Sequence, residues 1–197
     1  HSHLVVVKDY GEYEIIGRTR DDAAGEAFDK AARAMGFPYP GGVHIDNAAK
    51  LGDRKKYTLP HPKTANPYDF SFSGLKTAVI NLIHNAKQKD IEIDIPVLSA
   101  TIRERVCDML IEKTLAAAEK FGYKTIAVAG GVSANSELRL RLEEECRKKG
   151  ISLYRPELKY CGDNAAMVGA QGYYEYLDGN ISDSSLNATA TLPIDYR

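Results

Sequence analysis

In the first part of the chain, apolar residues stand first in short strand-like runs and then at the spacing of a helix. Two runs rich in β-branched residues, at positions 4–7 and 13–16, flank turn-forming residues at 9–11, and this pattern predicts a β-hairpin. Apolar residues then recur with helical spacing, which predicts an amphipathic helix that ends at Gly36. Its apolar face consists of Ala24, Ala27, Phe28, Ala31 and Met35. We expect a capping box, formed by the residues at 19 and 22, ahead of this helix.

The middle of the chain is less periodic. Residues 38–42 predict a loop, because neither prolines nor paired glycines continue a helix, and a short helix is expected over residues 45–51. Residues 52–68 contain three prolines and five basic side chains, which indicates an exposed arm. A turn at residues 73–77 is expected to open a helix that runs toward His84.

The second half alternates helices and strands. A long helix is expected from residue 96 to 121, then a short apolar strand at 124–129, a polar helix to Lys149, a strand at 151–154 and a last helix that starts at 161. This order predicts a βαβ unit with parallel strands, in a chain of the α/β fold class. Because the first of these strands is mostly apolar, we expect it to be buried on both faces.

Bulk properties exclude few classes of protein. The net charge is −1, from 26 basic and 27 acidic residues, so any contact with RNA must come from a local patch. Three widely spaced cysteines argue against a disulfide framework or a cysteine-rich zinc site. No apolar run approaches the roughly 18 residues that span a bilayer, and no signal-peptide pattern precedes the first strand. We therefore expect a cytoplasmic location without a membrane partner. The strand-like start without a methionine favours a fragment of a longer protein over a tag remnant.

Two glycines after the apolar strand give the strongest local signal. Gly130 and Gly131 let a ligand approach the backbone, and the helix start that follows offers free N–H groups and a partial positive charge. Asn135 can both donate and accept hydrogen bonds, as a nucleoside site requires. The alternative is a tight strand-to-helix turn in which Asn135 or Ser136 only caps the helix.

A second candidate, Asp163, stands at the start of the last main helix. Ligands of doubly wound sheets lie beyond the carboxyl ends of the parallel strands, so Asp163 could face the same crevice as Asn135. Its carboxylate suits a hard or borderline cation. An ordinary N-cap is the alternative.

Two further aspartates follow glycines at helical spacing. Gly25 inside the first helix costs roughly 1 kcal/mol relative to alanine, which indicates close packing, and Asp29 lies one turn further on the same face. Gly42 lets a flat ring lie against the main chain, and Asp46 could accept hydrogen bonds from ribose hydroxyls. The alternatives are a solvated acidic first turn, which suits residues 21–22 better than Asp29, and a plain loop before a helix-terminal charge.

Basic residues cluster in the arm and on the polar helix. The arm carries Arg54, Lys55, Lys56, His61 and Lys63 around Tyr57. This combination suits a nucleic-acid backbone, and the alternative, which the loop composition favours, is a solvated loop. The basic residues of the polar helix are interpreted as its solvated face, because Leu138 and Leu142 supply the apolar one. They are Arg139, Arg141, Arg147, Lys148 and Lys149. No nucleophile with a recognisable partner histidine is present in the sequence.

Five segments stand in the order in which they occur in the TsaD (Gcp) family, whose archaeal and eukaryotic counterparts are catalytic subunits of the KEOPS complex. They are DDAAGEAFDK at 21–30, YPGG at 39–42, FSFSGLKT at 70–77, AGGVSAN at 129–135 and DNAAM at 163–167. The match covers nearly the whole chain. The chain therefore resembles the C-terminal part of a TsaD-type tRNA threonylcarbamoyl transferase.

The resemblance implies a fold, a reaction and a set of site residues. The fold would be an actin-like ATPase (ribonuclease H-like) lobe, incomplete because of an N-terminal truncation. Residues 1–18 would be a hairpin of the missing N-terminal lobe, and residues 19–197 the C-terminal nucleotide-binding lobe, whose last residues can return to the first. The reaction would transfer threonylcarbamoyl from threonylcarbamoyl-AMP to the exocyclic amine of the adenosine next to the anticodon, in tRNAs that read codons starting with A. The nucleotide-binding residues would be Asp29, Gly42, Asp46, Gly130, Gly131 and Asn135.

The resemblance also implies a metal and partners. Asp163 would be one of three protein ligands of a divalent ion, iron or zinc, but the His-x-x-x-His pair that family members place upstream is absent from this sequence. Threonylcarbamoyl-AMP, ATP or ADP would occupy the cleft. Partners would be tRNA and small accessory proteins, TsaB-like and TsaE-like. We expect the chain alone to bind an adenine nucleotide weakly and to show no transferase turnover.

Three other interpretations stay open. A sugar or acetate kinase of the same fold superfamily would need an acidic general base beside a substrate hydroxyl. A metalloprotease has little support, because no His-Glu-x-x-His helix occurs in the sequence. A non-catalytic nucleotide-binding or partner-docking module is the third.

Overall fold

A computed structural model describes residues 1–53 and 57–195. Two antiparallel strands, β1 (His3–Asp9) and β2 (Glu12–Arg18), form the predicted hairpin. The described residues contain two further strands, β3 (Thr125–Ala127) and β4 (Ser152–Tyr154). Their helices are α1 (Ala24–Ala34), α2 (Gly41–Ala49), α3 (Ser73–Gln88), α4 (Ile95–Phe121), α5 (Ser136–Lys149) and α6 (Ala165–Leu177). Three basic residues of the predicted arm, at 54–56, lie outside the described residues.

The start of α1 differs from the prediction. The carboxylate of Glu26 accepts a hydrogen bond from the backbone N–H of Ala23, directly ahead of the helix. Thr19 instead donates its hydroxyl to the carbonyl oxygen of Asp22 at 2.6 Å. The expected capping box was therefore wrong, because the helix begins two residues beyond Asp22. The predicted apolar face is largely confirmed: Ala24, Ala27, Phe28 and Ala31 are buried.

Helix α2 starts earlier than the glycine pair suggests. Gly41 and Gly42 form its first turn, so the loop expected over residues 38–42 was wrong in its second half. The first N–H groups of a helix have no acceptor within the helix, and here Asp29 Oδ1 accepts from Gly41 N at 2.7 Å. Gly41 also packs closely on α1: a Cβ at this position would lie 2.3 Å from Ala32 Cβ.

Alanine substitutions at the two glycines are expected to differ in their effect on stability. Gly41→Ala is expected to lower the free energy of unfolding by about 1–3 kcal/mol, because the added methyl group forces α1 and α2 apart. Gly42→Ala is expected to cost less, since its Cβ would lie 3.7 Å from Phe28 Cβ, an ordinary contact. Urea unfolding followed by circular dichroism measures both, and equal losses would contradict this packing.

Helix α4 is shared by two apolar clusters. The first joins α4 to α1, α2 and α3 and includes Phe28, Phe70, Phe72 and Ile102. The second joins α4 to β3 and α5, and includes Cys107, Ile111, Ile126, Leu138 and Leu142. The long helix therefore fixes the hairpin-side helices relative to the βαβ unit.

Strands β3 and β4 pair in parallel around α5, so the predicted βαβ unit is confirmed. Only Ile126 is buried in β3, while Thr125 and Ala127 are exposed. The expectation that this strand is buried on both faces was therefore wrong. The second apolar cluster covers one face of this two-stranded sheet and leaves the other open.

Asp21 connects the first helix region to the start of α3. Its carboxylate accepts hydrogen bonds from the backbone N–H groups of Phe72, at 2.7 Å, and Ser73, at 3.1 Å. The hydroxyls of Ser71 and Ser73 donate to its other oxygen. Asp21 thus caps α3 from a distance, so its interpretation as a solvated charge of the first helix was wrong.

This cap makes stability depend on pH. Burial raises the pKa of Asp21, but the four hydrogen bonds outweigh it and hold that pKa below its ordinary value of 3.8. A carboxyl group whose pKa is lower in the folded protein than in the unfolded chain contributes its full stabilisation of the fold above pH 3.8. This contribution is lost as the pH falls below that value toward the folded pKa. Asp21→Ala is expected to cost about 1 kcal/mol at pH 7. Urea titrations from pH 7 to pH 2.5 should show this difference shrinking, and a constant difference would contradict the cap.

The arm after α2 is only partly exposed. Leu59 is buried in the first cluster, and the Tyr57 hydroxyl accepts a hydrogen bond from Asp94 N at 3.0 Å. His61 Nε2 lies 3.3 Å from the Glu112 carboxylate. The expectation of a wholly exposed arm was therefore wrong for these residues, because Leu59 anchors the arm in the core.

Helix α6 lies against the hairpin and exposes most of its surface. The rings of Tyr10 and Tyr174 stack, with centroids 3.5 Å apart. Within the described ranges, none of the helices is both long enough and apolar enough to cross a bilayer. The division of the chain at residue 18 stays a prediction, and across it Thr19 forms a β-bridge with Phe70.

Candidate functional site

The loops that follow β3 and β4 leave the same edge of the parallel pair. Arg139, on α5, connects them: Nη1 donates to Ser133 O at 3.2 Å and Nη2 to Pro156 O at 2.7 Å. The same Nη1 lies 3.6 Å from the sulfur of Cys161, two residues before Asp163. The interpretation of Arg139 as a solvated residue was therefore wrong, and the two candidate loops share one edge of the fold.

The glycine turn after β3 is open on its outer side. Gly130 has a φ of 85°, which favours glycine, and a Cβ on Gly130 or Gly131 would meet no atom within 4 Å. On the inner side, Val132 lies 3.5 Å from where a Cβ on Gly25 would be. The start of α1 therefore approaches this turn, while the backbone at 130–131 stays accessible.

Asn135 is the N-cap of α5. Its Oδ1 accepts from Leu138 N at 3.0 Å and lies 3.6 Å from the sulfur of Cys107. Burial raises the pKa of Cys107 to about 12, so this thiol stays protonated and can donate to that oxygen. The capping role left open by the sequence is thus present. Any contact of Asn135 with a nucleoside would use its amide nitrogen, and it stays a prediction.

Asp46 is held by two neighbouring helices. Its Oδ1 accepts from Arg103 Nη1 at 3.0 Å and from the Ser136 hydroxyl at 2.9 Å. Its Oδ2 accepts from Ser136 N at 3.2 Å. The Asp46 side chain is 15% exposed, so one face of the carboxylate remains at the surface.

The predicted nucleotide-binding positions lie on elements that contact one another. Helices α1 and α2 meet through Asp29 and Gly41, and α2 meets α5 through Asp46 and Ser136. The predicted binding residues on these elements are Asp29, Gly42, Asp46, Gly130, Gly131 and Asn135. Their role in binding stays a prediction.

Asp163 stands exposed just before α6. Asn164 caps this helix by accepting from Met167 N at 3.0 Å, so the expected helix start at 161 and the N-cap alternative for Asp163 were wrong. Among residues 1–53 and 57–195, no three or more His, Cys, Asp and Glu side chains are grouped to hold a metal ion. The described residues alone therefore do not fit a complete metal site, and Asp163 as a ligand stays a prediction.

Two pockets lie away from these loops. One, of about 330 Å³, is lined by Glu119, Gly122, Lys149 and Ile151 at the opposite edge of β3 and β4. The other, of about 500 Å³, lies at the end of α3 next to Ile91. Neither contains a predicted site residue. We favour the open glycine turn, because ligands of parallel α/β sheets lie at the carboxyl ends of the strands.

Fold and site together define an α/β protein with a candidate ligand site at the carboxyl edge of a parallel strand pair. The chain belongs to the TsaD family, the tRNA N6-adenosine threonylcarbamoyltransferases, whose family model matches residues 1–170. The resemblance drawn from the five motifs is thereby confirmed.

Individual relatives agree with this family. The chain is 47% identical over 196 residues to the tRNA N6-adenosine threonylcarbamoyltransferase of Clostridioides difficile (strain 630), covering 99% of this chain and 58% of that protein. It is 49% identical over 199 residues to the protein of the same name from Bacillus cereus (strain ATCC 14579), covering 99% of this chain and 57% of that protein. The chain thus spans a little over half the length of these curated relatives.

Proposed function

We propose that this chain forms the adenylate-binding part of an enzyme that transfers threonylcarbamoyl from threonylcarbamoyl-AMP to a tRNA adenosine. The acceptor is the exocyclic amine of the adenosine next to the anticodon, in tRNAs that read codons starting with A. Membership of the family supports the reaction. The observation that supports the site is that Asp29, Asp46 and Asn135 lie on elements that contact one another.

The chemistry of the donor explains the kind of site that is needed. Threonylcarbamoyl-AMP is a mixed anhydride, already activated toward attack. The exocyclic nitrogen attacks the carbamoyl carbon, the bond from that carbon to the phosphate oxygen breaks, AMP leaves, and the amine loses a proton. No protein nucleophile is required, which agrees with the three cysteines being free and buried. The main task of the protein is to hold the two reactants in position.

Each site residue then has a proposed part in holding the adenylate. The backbone at Gly130 and Gly131 leaves room for close approach of the nucleotide. N–H groups at the start of α5 already donate to Asp46 and Asn135, so the free N–H groups expected there from the sequence are not available to the phosphate. Gly42 provides a flat surface at the first turn of α2. Asp46 accepts from a ribose hydroxyl. Asp29 holds the first turn of α2 through Gly41 N, and thereby the position of Gly42.

The metal, the larger fold and the partners are parts of the same proposal. Asp163 would contribute one ligand to a divalent iron or zinc ion, whose coordination the described residues do not complete. The chain would be a lobe of an actin-like ATPase fold. Partners would be tRNA and TsaB-like and TsaE-like accessory proteins, in the cytoplasm.

A chimera tests the function. This chain is placed in the Clostridioides difficile relative instead of the 196 residues that it matches. Purified chimera is incubated with the TsaB-like and TsaE-like proteins of the same organism, threonylcarbamoyl-AMP and tRNA. Threonylcarbamoyladenosine is then measured by mass spectrometry of the digested tRNA. We expect the chimera to modify the tRNA. We expect the Asp163→Ala chimera to lose both tRNA modification and bound metal, while its circular dichroism spectrum is unchanged. A folded chimera that leaves the tRNA unmodified would contradict the proposed reaction, and unchanged metal content in Asp163→Ala would remove Asp163 from the metal site.

A further inference from the structure

Arg103 is a buried residue that contacts Asp46, and the proposed function gives it no role. It belongs to α4 and is only 6% exposed. Its Nη1 donates to Asp46 Oδ1 at 3.0 Å and to the carbonyl oxygen of Asp46 at 3.1 Å. Its Nη2 lies 3.6 Å from Glu137 Oε2, on the first turn of α5. One guanidinium therefore contacts both helices that border the candidate site.

Such a buried cation is a poor source of net stability. The cost of removing the guanidinium and two carboxylates from water offsets most of their attraction, and apolar residues of similar volume often stabilise as well or better. The guanidinium can instead fix the orientation of the groups that it binds, because its donors lie in a rigid plane. The position of Arg103 is therefore better explained by the orientation of Asp46 than by the stability of the core.

The hydrogen bonds around Asp46 show what this orientation achieves. Oδ1 accepts from Arg103 and from the Ser136 hydroxyl, which uses both of its acceptor positions. Oδ2 accepts from Ser136 N, and a carboxylate oxygen can accept a second hydrogen bond. The contacts among the described residues thus fix the carboxylate and leave one acceptor position, on Oδ2.

We propose that Arg103 is a positioning residue for ribose recognition. By holding Oδ1 of Asp46, it keeps Oδ2 available in one orientation for a ribose hydroxyl of the bound adenylate. Arg103 does not touch the ligand, and it acts only through Asp46. The inference rests on the proposed function, because it requires an adenylate that lies against Asp46.

Two nucleotides and two matched variants separate this role from a purely structural one. Equilibrium binding to the chain is measured with AMP and with 2′,3′-dideoxy-AMP, which lacks both ribose hydroxyls. We expect the unaltered chain to bind AMP about tenfold more tightly than the dideoxy nucleotide, as for one hydrogen bond to a charged acceptor. Arg103→Lys keeps the charge but loses the planar donors, so this ratio should fall to about twofold while the affinity for dideoxy-AMP is unchanged.

Arg141→Lys is the control. Arg141 is half-buried, with Nη2 2.7 Å from Asp108 Oδ1 and Nη1 3.9 Å from Glu137 Oε1, so its interpretation as a solvated residue was wrong. Its substitution removes the same kind of guanidinium contact without altering a donor to Asp46. The tenfold ratio should therefore persist in Arg141→Lys. If Arg103→Lys does not fold, as judged by circular dichroism, the double variant Arg103→Gln with Glu137→Gln replaces it, since it leaves neither charge of that pair behind.

The outcomes distinguish a failure of the proposed function from a failure of the role proposed for Arg103. An unaltered chain that binds neither nucleotide overturns the proposed function and the inference with it. Binding of both nucleotides with equal affinity by the unaltered chain overturns the inference and the ribose contact proposed for Asp46, but leaves the adenylate site itself standing. An unchanged tenfold ratio in the folded Arg103 variant, or an equal fall of the ratio in Arg141→Lys, overturns the inference alone.

Discussion

Asp46→Ala is expected to lower the free energy of unfolding by about 3 kcal/mol, the lower end of the range for breaking a buried ion pair. The substitution leaves the guanidinium of Arg103, only 7% exposed as a side chain, without its closest carboxylate. Glu137 at 3.6 Å compensates part of the charge, which is why we expect the lower end. Ser136 also loses the acceptor for its hydroxyl and its backbone N–H. Urea unfolding at pH 7 measures the loss.

Asp163→Ala is the control for this prediction. Both residues are aspartates in the candidate site, but Asp163 is exposed ahead of α6. We expect its unfolding midpoint to match that of the unaltered chain. Similar losses in the two variants would show that Asp46 is not held by a buried ion pair.

Leu142→Ala is expected to cost about 2–5 kcal/mol, because a buried leucine replaced by alanine loses transfer free energy and leaves a cavity. Leu142 is 2% exposed and belongs to the second apolar cluster, between α4, α5 and β3. Leu140, two residues earlier on the same helix, is 66% exposed. The Leu140→Ala variant should therefore unfold at nearly the urea concentration of the unaltered chain. A smaller loss for Leu142→Ala than for Leu140→Ala would contradict the packing of α5 on α4.

The sequence predicted the elements whose signal is local. The hairpin follows from two β-branched runs around a turn, and the parallel pair β3–β4 from the alternation of strand, helix and strand. The end of α4 was predicted because Gly122, with a φ of 74°, adopts the left-handed conformation that glycine favours. Family membership could be predicted because five weak motifs stand in a fixed order over the chain.

The contacts that hold the site were not predictable in the same way. Asp21 caps a helix fifty-one residues further on, at Phe72, and Arg103 binds an aspartate fifty-seven residues earlier. Nothing in the spacing of these residues marks such pairs. Asp21 meets the start of α3 only when α1 packs against α3, and Arg103 meets Asp46 only when α4 packs against α2. Arg139 was interpreted as solvated because Leu138 and Leu142 supply the apolar face of α5, yet its long side chain reaches back to Ser133 O. Conversely, the glycine pair led to the prediction of a loop where the first turn of α2 lies. Asp29 stabilises this turn by accepting a hydrogen bond from Gly41 N.

Binding of an adenylate where the 130–135 turn lies near α1 and α2 can be measured by nuclear magnetic resonance of the ¹⁵N-labelled chain during titration with AMP. We expect the largest chemical-shift changes at the backbone amides of Gly42, Gly130, Gly131 and Asn135. Shifts concentrated instead around Gly122 and Lys149, where a separate pocket lies, would contradict binding at this turn.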